Sequence, residues 1–383
     1  MLDAIFSSES AVRERYAKGA VAVEPALCCA VDYDPRYLDA IPSEVIERDY
    51  GCGDPSKYLL PGETVLDLGS GTGKICFIAA QIVGEKGRVI GIDMTDEMLA
   101  LAREAAPKVA EKIGYANVSF HKARVQDLAL DLDAFDRQLR EKPVDNASAY
   151  FALDGIAEQL RQTKPLIADE SIDVIVSNCV LNLVSKSAKK QLFSEMLRVL
   201  KNGGRAVISD IVSDEHVPAH LQNNPELWSG CISGAFTEKG LLQAFEEAGF
   251  CGMQIVEFSE TPWQTVEGIE FRSVTIEAVK GKQGACFDRN QAVIYKGPFK
   301  EVLDDDGHRM VRGERYAMCA KSFSLFSRAA YRDHFILVNP AQPISLADAP
   351  AWDYNRSAVR DPKETKGAVL QTSAVKAKNN TCC

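Results

Sequence analysis

The residues with the most chemistry in this sequence are its thiols. Eleven cysteines stand at positions 28, 29, 52, 76, 179, 231, 251, 286, 319, 382 and 383. A thiolate is both a nucleophile and a ligand for soft ions. An odd number cannot all pair, and no C-x-x-C occurs, which removes the usual spacing of a structural zinc site. Two adjacent pairs stand out, Cys28–Cys29 and Cys382–Cys383. Cys179 follows the apolar run Ile172 to Val176 in Ser177-Asn178-Cys179-Val180. Cys231 lies among small residues in Trp228-Ser229-Gly230-Cys231-Ile232-Ser233-Gly234, and Cys52 lies between Gly51 and Gly53. Cys76, beside Phe77, and Cys251, after Gly249-Phe250, read as buried structural residues. Cys286 and Cys319 are assignable to neither class. Of the five histidines only His216 and His220 share helical spacing, and they read as surface residues.

A second constellation is Val65-Leu66-Asp67-Leu68-Gly69-Ser70-Gly71-Thr72-Gly73, with Asp93 further along. Glycines at alternate positions let the backbone bend sharply and approach a ligand without a Cβ clash. With a strand before and a helix after, this turn predicts a nucleotide-type site. Asp93, ending the next strand, is placed to accept both ribose hydroxyls. A dinucleotide favours G-x-G-x-x-G, and here the third glycine falls one residue early. Asp67 would repel a pyrophosphate but pair with an ammonium group. S-adenosylmethionine carries an amino-acid moiety, a ribose and no phosphate, so it is favoured over a nicotinamide or another adenine nucleotide.

These residues need a frame. Apolar runs at Thr64–Leu68, Arg88–Asp93, Val118–Ala123, Ile172–Val176 and Ala206–Ile211 predict strands. Helices are expected at Lys74–Ile82, Glu97–Ile113 and Lys190–Leu200, the last ended by Asn202-Gly203-Gly204. Alternation on this spacing predicts an α/β doubly wound, mainly parallel Rossmann-like sheet. The expected organisation is an N-terminal extension over 1–60 and the nucleotide domain over 61–212. A substrate region follows over 213–282, then a small α+β unit over 283–345 and a disordered tail over 346–383. The charged insertion 127–170 holds two amphipathic helices and reads as decoration of the sheet edge rather than a lid. Short strands are expected at QAVIYKG, SFSLFS and HFILV. A net charge of −10 excludes a general nucleic-acid binder held by phosphate contacts. No apolar run approaches the roughly 18 residues of a membrane span, and the N-terminus lacks a signal-peptide pattern. A cytoplasmic, monomeric protein with no membrane partner is expected.

D-L-G-S-G-T-G followed by G-I-D resembles the first motif of class I S-adenosylmethionine-dependent methyltransferases and its acidic partner. The resemblance then narrows. Y-G-C-G, D-L-G-S-G-x-G-x-x-C, G-I-D-M-T, S-N-C-V-x-N-L-V, L-W-x-x-C, F-R-S-V-T and Q-A-V-I-Y-K-G, in that order, resemble the arsenite S-adenosylmethionine methyltransferase family over about residues 10–340. The resemblance implies that Asp67, Gly69, Gly71, Gly73, Asp93 and Met94 bind the cofactor. Val125 and Gln126 would lie against its adenine, and Asn178 would border the methyl donor. It implies that Cys179 and Cys231 bind trivalent arsenic. Cys52 and one of Cys28 and Cys29 (Cys29 in our reading) would match a pair that can form a disulfide and assist the reaction, with Cys52 a further arsenic ligand. An external thiol, glutathione or thioredoxin, is the implied reductant, and detoxification of arsenic through mono- and dimethylated products is the implied role. The arsenic lone pair would attack the sulfonium methyl in line without a general base, positioning being the main source of catalysis. Gly230 stands where family members carry an acid, and the 127–170 insertion is longer than theirs. Another thiophilic acceptor (selenium, tellurium or an organic thiol) is the alternative substrate, and sequestration of a metalloid without turnover is the alternative function.

Overall fold

The structure, a computed structural model, describes residues 8–24, 27, 31–281 and 283–367. Two units are distinguished, residues 1–280 and 281–383. In the first, helix α1 (Ser8–Val21) places Val12, Tyr16 and Ala20 on one face through their spacing of four. The sheet then begins. β1 (Thr64–Leu68), α2 (Lys74–Val83), β2 (Arg88–Asp93), α3 (Asp96–Ile113) and β3 (Val118–Lys122) follow the expected boundaries within a residue or two. β1 is buried at four of its five positions, the pattern of a strand covered on both faces. Leu66, Leu68, Ile90 and Ile92 fill one core, and Val65, Val89 and Phe77 the other. Truncating Phe77, which is fully buried, to alanine would cost roughly 3–5 kcal/mol.

The insertion holds α4 (Leu132–Glu141) and α5 (Ala147–Thr163), capped by Asp131 and Asn146 at 2.9 Å each. Leu130, Phe135, Ala157 and Leu160 form their own small core. Asp133 of α4 pairs with Arg103 at 2.7 Å, beside edge strand β3. The insertion therefore decorates the sheet edge, as its polar composition suggests. β4 (Ile172–Asn178), α6 (Lys186–Val199), β5 (Leu200–Ser213), α7 (Glu238–Ala248), β6 (Cys251–Phe258) and β7 (Ile269–Val279) complete the layer. The strand order is β3-β2-β1-β4-β5-β7-β6, parallel from β3 to β5, with β7 antiparallel to both neighbours. Two sequence expectations need correction here. α6 starts four residues early, and Asn202-Gly203-Gly204 belongs to β5. Gly203 takes φ +85° and exchanges backbone hydrogen bonds with Lys280 through itself and Gly204, so the glycines bend a strand rather than end a helix.

In the second unit β8 (Gln291–Tyr295) lies between β9 (Arg315–Met318) and β10 (Phe335–Val338), antiparallel to both. SFSLFS, expected as a strand, is helix α8 (Ala320–Phe326). Its alternation is also an i,i+3 pattern, and Phe323 and Phe326 enter the core together with Val293 and Phe335. The expected disorder from 346 is corrected for residues 346–367. Their backbone bridges Phe287 at Ala351 and Tyr316 at Val359, and helix α9 (Pro362–Lys366) ends the described chain. Arg360 is fully buried against Asp288 at 2.6 Å and Glu364 at 2.7 Å, with Gln291 O accepting its Nε–H at 2.9 Å. Removing one partner of such a buried, saturated pair costs about 3–5 kcal/mol. Among the described residues no helix is long and apolar enough to cross a membrane.

Candidate active site

The β1–α2 turn passes through Gly69 (φ +70°), Gly71 (φ +52°) and Gly73 (φ +91°), a region that L-residues rarely occupy. A Cβ on Gly69 would stand 2.6 Å from Val180, so this turn and the β4 loop approach as closely as backbone allows. The turn aims its amides at Asp93. Gly71 N–H donates to one carboxylate oxygen at 2.9 Å and Thr95 N–H to the other at 2.8 Å. Burial pushes the Asp93 carboxyl above its ordinary value, against the opposing pull of those amides. Asp67 is buried on β1 and accepts only the Cys76 thiol, at 3.2 Å, among the described residues. Burial first, and the charges of Asp49 and Asp93 with it, push its carboxyl up to about 7 although Cys76 pulls the other way. Among the described residues the buried Ser70 hydroxyl has no partner.

These groups face a cleft of about 990 Å³, its open mouth included, at the carboxyl edge of the sheet, where open α/β sheets bind ligands. Asp67, Gly69, Gly71, Asp93, Met94, Val125, Gln126 and Asn178 all line it. Gly73 does not. It caps α2, where a Cβ would meet Phe120 at 2.7 Å, so its glycine serves packing. Glu9, Val12 and Tyr16 of α1 also line the cleft, a wall that sequence reasoning missed although the spacing of 12, 16 and 20 was its signal. Arg15 holds α1 there by donating to Glu226 O at 2.9 Å and to the Ser229 hydroxyl at 3.2 Å. Lys74, ion-paired with Asp49 at 2.7 Å and lying 4.1 Å over the Tyr33 ring, braces the floor.

Of the thiols Cys179 lines the cleft; Cys52 and Cys231 do not, and each meets it through contact with Cys179. Cys52 and Cys179 are joined as a disulfide, and Cys231 is a buried thiol outside that bond. The resemblance implies a partner for Cys52 at 28 or 29; the structure pairs it with Cys179 instead. Cys28 and Cys29 lie outside the described residues, so that expectation and the role of Cys29 have no structural account. Asn178, next to Cys179, holds the Cys52 segment against it. Its side-chain oxygen accepts from Cys52 N–H at 2.8 Å and Gly53 N–H at 3.1 Å, and its amide donates to Gly53 O at 2.7 Å. Gly51 and Gly53 are required, since a Cβ would fall 2.1 Å from Asn178 and 2.6 Å from Ser209. Asn178, expected beside the methyl donor, thus both lines the cleft and seats Cys52.

Cys179 (φ +59°) and Cys231 (φ +64°) both hold a left-handed backbone. For a non-glycine residue that conformation costs about 1–3 kcal/mol and gathers at functional sites. The Cys231 thiol reaches the Cys179 carbonyl at 3.3 Å, and the ligand atoms of Cys179, Asp210 and Cys231 lie within 4.8 Å of one another. Burial pushes the Asp210 carboxyl up to about 6 against the pull of the Ile211, Asn182 and Leu181 amides and the Lys189 charge. Tyr16 of α1 closes the group. Burial and its hydrogen bond with Cys231 raise its phenol well above the ordinary value, so it is a neutral donor. One cleft is therefore lined both by the Asp67 and Asp93 carboxyl groups and by Cys179, which touches Cys52 and Cys231.

This strand order, glycine turn and acid-ended β2 define a class I S-adenosylmethionine-dependent methyltransferase, and a methyltransferase-domain family model matches residues 59–162 and 154–249. A second model, described as a domain of unknown function, matches 282–370. An arsenite methyltransferase of Aquipseudomonas alcaligenes is 32% identical over 82% of this chain and 85% of its own. The human arsenite methyltransferase is 30% identical over 78% and 73%. The crystal structure of an arsenic(III) S-adenosylmethionine methyltransferase from Chlamydomonas reinhardtii superposes with a TM-score of 0.55 at 27% identity, over 87% of this chain and 100% of that one. The chain belongs to the arsenite methyltransferase family.

Proposed function

We propose that the chain transfers a methyl group from S-adenosylmethionine to trivalent arsenic held by Cys179 and Cys231, with Cys52 completing the ligand set. The observation that carries this reading is the meeting of three cysteines, from segments 127 and 52 residues apart, at the cleft that Asp67 and Asp93 line: Cys179 lines it, and Cys52 and Cys231 each touch Cys179. Bound in that cleft, S-adenosylmethionine supplies an electrophilic sulfonium methyl. The residues present suit it. Asp67 offers a buried carboxyl to the ammonium, Asp93 offers carboxylate oxygens to the ribose, and the unpartnered Ser70 hydroxyl offers one further polar contact. Val125 and Gln126, which also line the cleft, would take the adenine.

Thiolates on one side of arsenic leave its lone pair on the other, so the cysteines both bind the acceptor and aim it. No base is needed, because bound arsenic(III) carries no proton on the attacking atom. Tyr16, on α1, keeps water from the thiols. The Cys52–Cys179 disulfide withholds two of the three thiols. Two electrons and two protons from a pair of external thiols, glutathione or a dithiol protein, release them and leave one disulfide in the reductant. That need favours a reducing, cytosolic setting.

The test is S-adenosylhomocysteine release by the purified chain with glutathione and, in turn, arsenite, selenite, tellurite or a small organic thiol. Release that depends on arsenite supports the reading. Release with another acceptor but not arsenite overturns the substrate, and arsenite binding with no release under any acceptor overturns the activity.

A further inference from the structure

A second pair of thiols meets in the C-terminal unit, in a place that the proposed reaction does not use. One backbone link joins the Cys286 and Cys319 segments and a second holds Cys286 from the other side. Ala320 N–H donates to Phe287 O at 2.8 Å, and Trp352 N–H donates to Cys286 O at 2.9 Å. The two side chains hydrogen-bond to one another, and both are free thiols lining a cleft of about 1400 Å³, its mouth included. Cys319 is 5% exposed and receives Ser322 N–H at 3.5 Å and a contact from the Ser322 hydroxyl at 3.4 Å. Cys286 is half-buried. Tyr354 hydrogen-bonds to it from the cleft rim, and the Lys321 ammonium, anchored on Gly284 O at 2.9 Å, lies beside it. Partial burial alone would raise the Cys286 thiol; the bonds from Tyr354 and Cys319 and the charge of Lys321 outweigh it and bring the thiol below its ordinary value.

We propose that Cys286 and Cys319 form a second binding site for trivalent arsenicals, in which the two sulfurs chelate one arsenic atom within the cleft of the C-terminal unit. Each thiol exchanges one As–OH for an As–S bond and its proton leaves with the hydroxyl as water. Two such exchanges yield a dithiolate complex and two waters, with no change of oxidation state. Zinc is the poorer candidate. It asks for four ligands, and no group of three histidine, cysteine or carboxylate ligands among the described residues includes either thiol. An arsenical that keeps one hydroxyl or carbon substituent needs no more than the pair provides. The choice of arsenic as the soft centre rests on the proposed function, but the test requires no methyl transfer.

The full chain, reduced beforehand, is incubated with phenylarsine oxide, whose arsenic takes two thiolates. Open thiols are then alkylated with N-ethylmaleimide and mapped by peptide mass spectrometry. The expected result is a joint fall in alkylation of Cys286 and Cys319, roughly tenfold or more for a chelated soft centre, reversed by dimercaptopropanol. In Cys286→Ser the protection of Cys319 is lost while that of Cys231 persists, which separates loss of the chelate from misfolding. Equal alkylation of both cysteines with and without the arsenical overturns the site, as does a disulfide between them that survives reduction. Retained arsenite-dependent turnover alongside either negative sinks the second site alone.

Discussion

The two walls of the active-site cleft are built in opposite ways. The carboxylate wall comes from one stretch of 27 residues, Asp67 to Asp93, in which a strand, a glycine turn, a helix and a strand place both acids and backbone N–H groups orient Asp93. The thiol side is assembled from three separate segments around 52, 179 and 231, reaches the cleft at Cys179, and rests on a side-chain amide clamp and two left-handed backbone positions. The first wall is as stable as the local fold that makes it. The second depends on long-range packing, and two of its sulfurs are joined as a disulfide, so on the proposed reading reduction changes the thiol side and leaves the carboxylate wall as it is.

That contrast can be broken in order of expected effect. Omitting the external thiol should cut steady-state turnover by about a hundredfold or more while S-adenosylmethionine binding stays unchanged, because the loss of ligands falls on positioning alone. Turnover followed after adding glutathione to the oxidised chain checks it. Asp93→Ala should raise the Kd for S-adenosylmethionine by about thirtyfold or more, as charge-assisted hydrogen bonds of about 1.5–3 kcal/mol each are lost. Calorimetric titration should find arsenite binding nearly unaltered, and equal loss of both in a folded variant would erase the distinction between the walls. Asn178→Ala strips partners from Cys52 N–H, Gly53 N–H and Gly53 O, at a cost of about 2–3 kcal/mol in urea unfolding.

A smaller effect follows from Asp67. Its carboxyl sits at about 7, raised by burial, and a cationic ligand prefers the ionised form. Affinity for S-adenosylmethionine should therefore rise as pH increases through about 7 and level off above, with a proton released on binding below that pH. Asp67→Asn should flatten the profile. The smallest effect belongs to the insertion. Phe135→Ala, within the core shared by α4 and α5, should cost about 1 kcal/mol and a Tm shift of about 2–4 °C without altering kcat.

Legibility in sequence followed the same division. Asp67, Asp93 and the glycine turn could be read because a βαβ unit is a local pattern whose spacing survives any surroundings. Cys179 could be placed at the cleft because it follows a strand whose carboxyl edge is predictable, and Cys231 could be linked to it by the family resemblance of its context. What stayed hidden depends on distant partners. The Cys52–Cys179 bond lies beside an Asn178 clamp that spans more than a hundred residues. The covering role of α1 was written only in three residues at a spacing of four. SFSLFS satisfies both a two-residue and a three-residue period, and only the core formed with Phe335 decides between them. Arg360 looks like a tail residue in sequence and is fully buried because Asp288 and Glu364 receive it.

The central claim is that Cys179 and Cys231 hold arsenic against a cofactor bound on the other wall. The most direct test is S-adenosylhomocysteine release by the native chain and by Cys179→Ser and Cys231→Ser, each with glutathione and with or without arsenite, alongside S-adenosylmethionine affinity in the same samples. The account predicts arsenite-dependent release by the native chain alone, with all three proteins binding the cofactor equally. Undiminished release by either folded variant would contradict it.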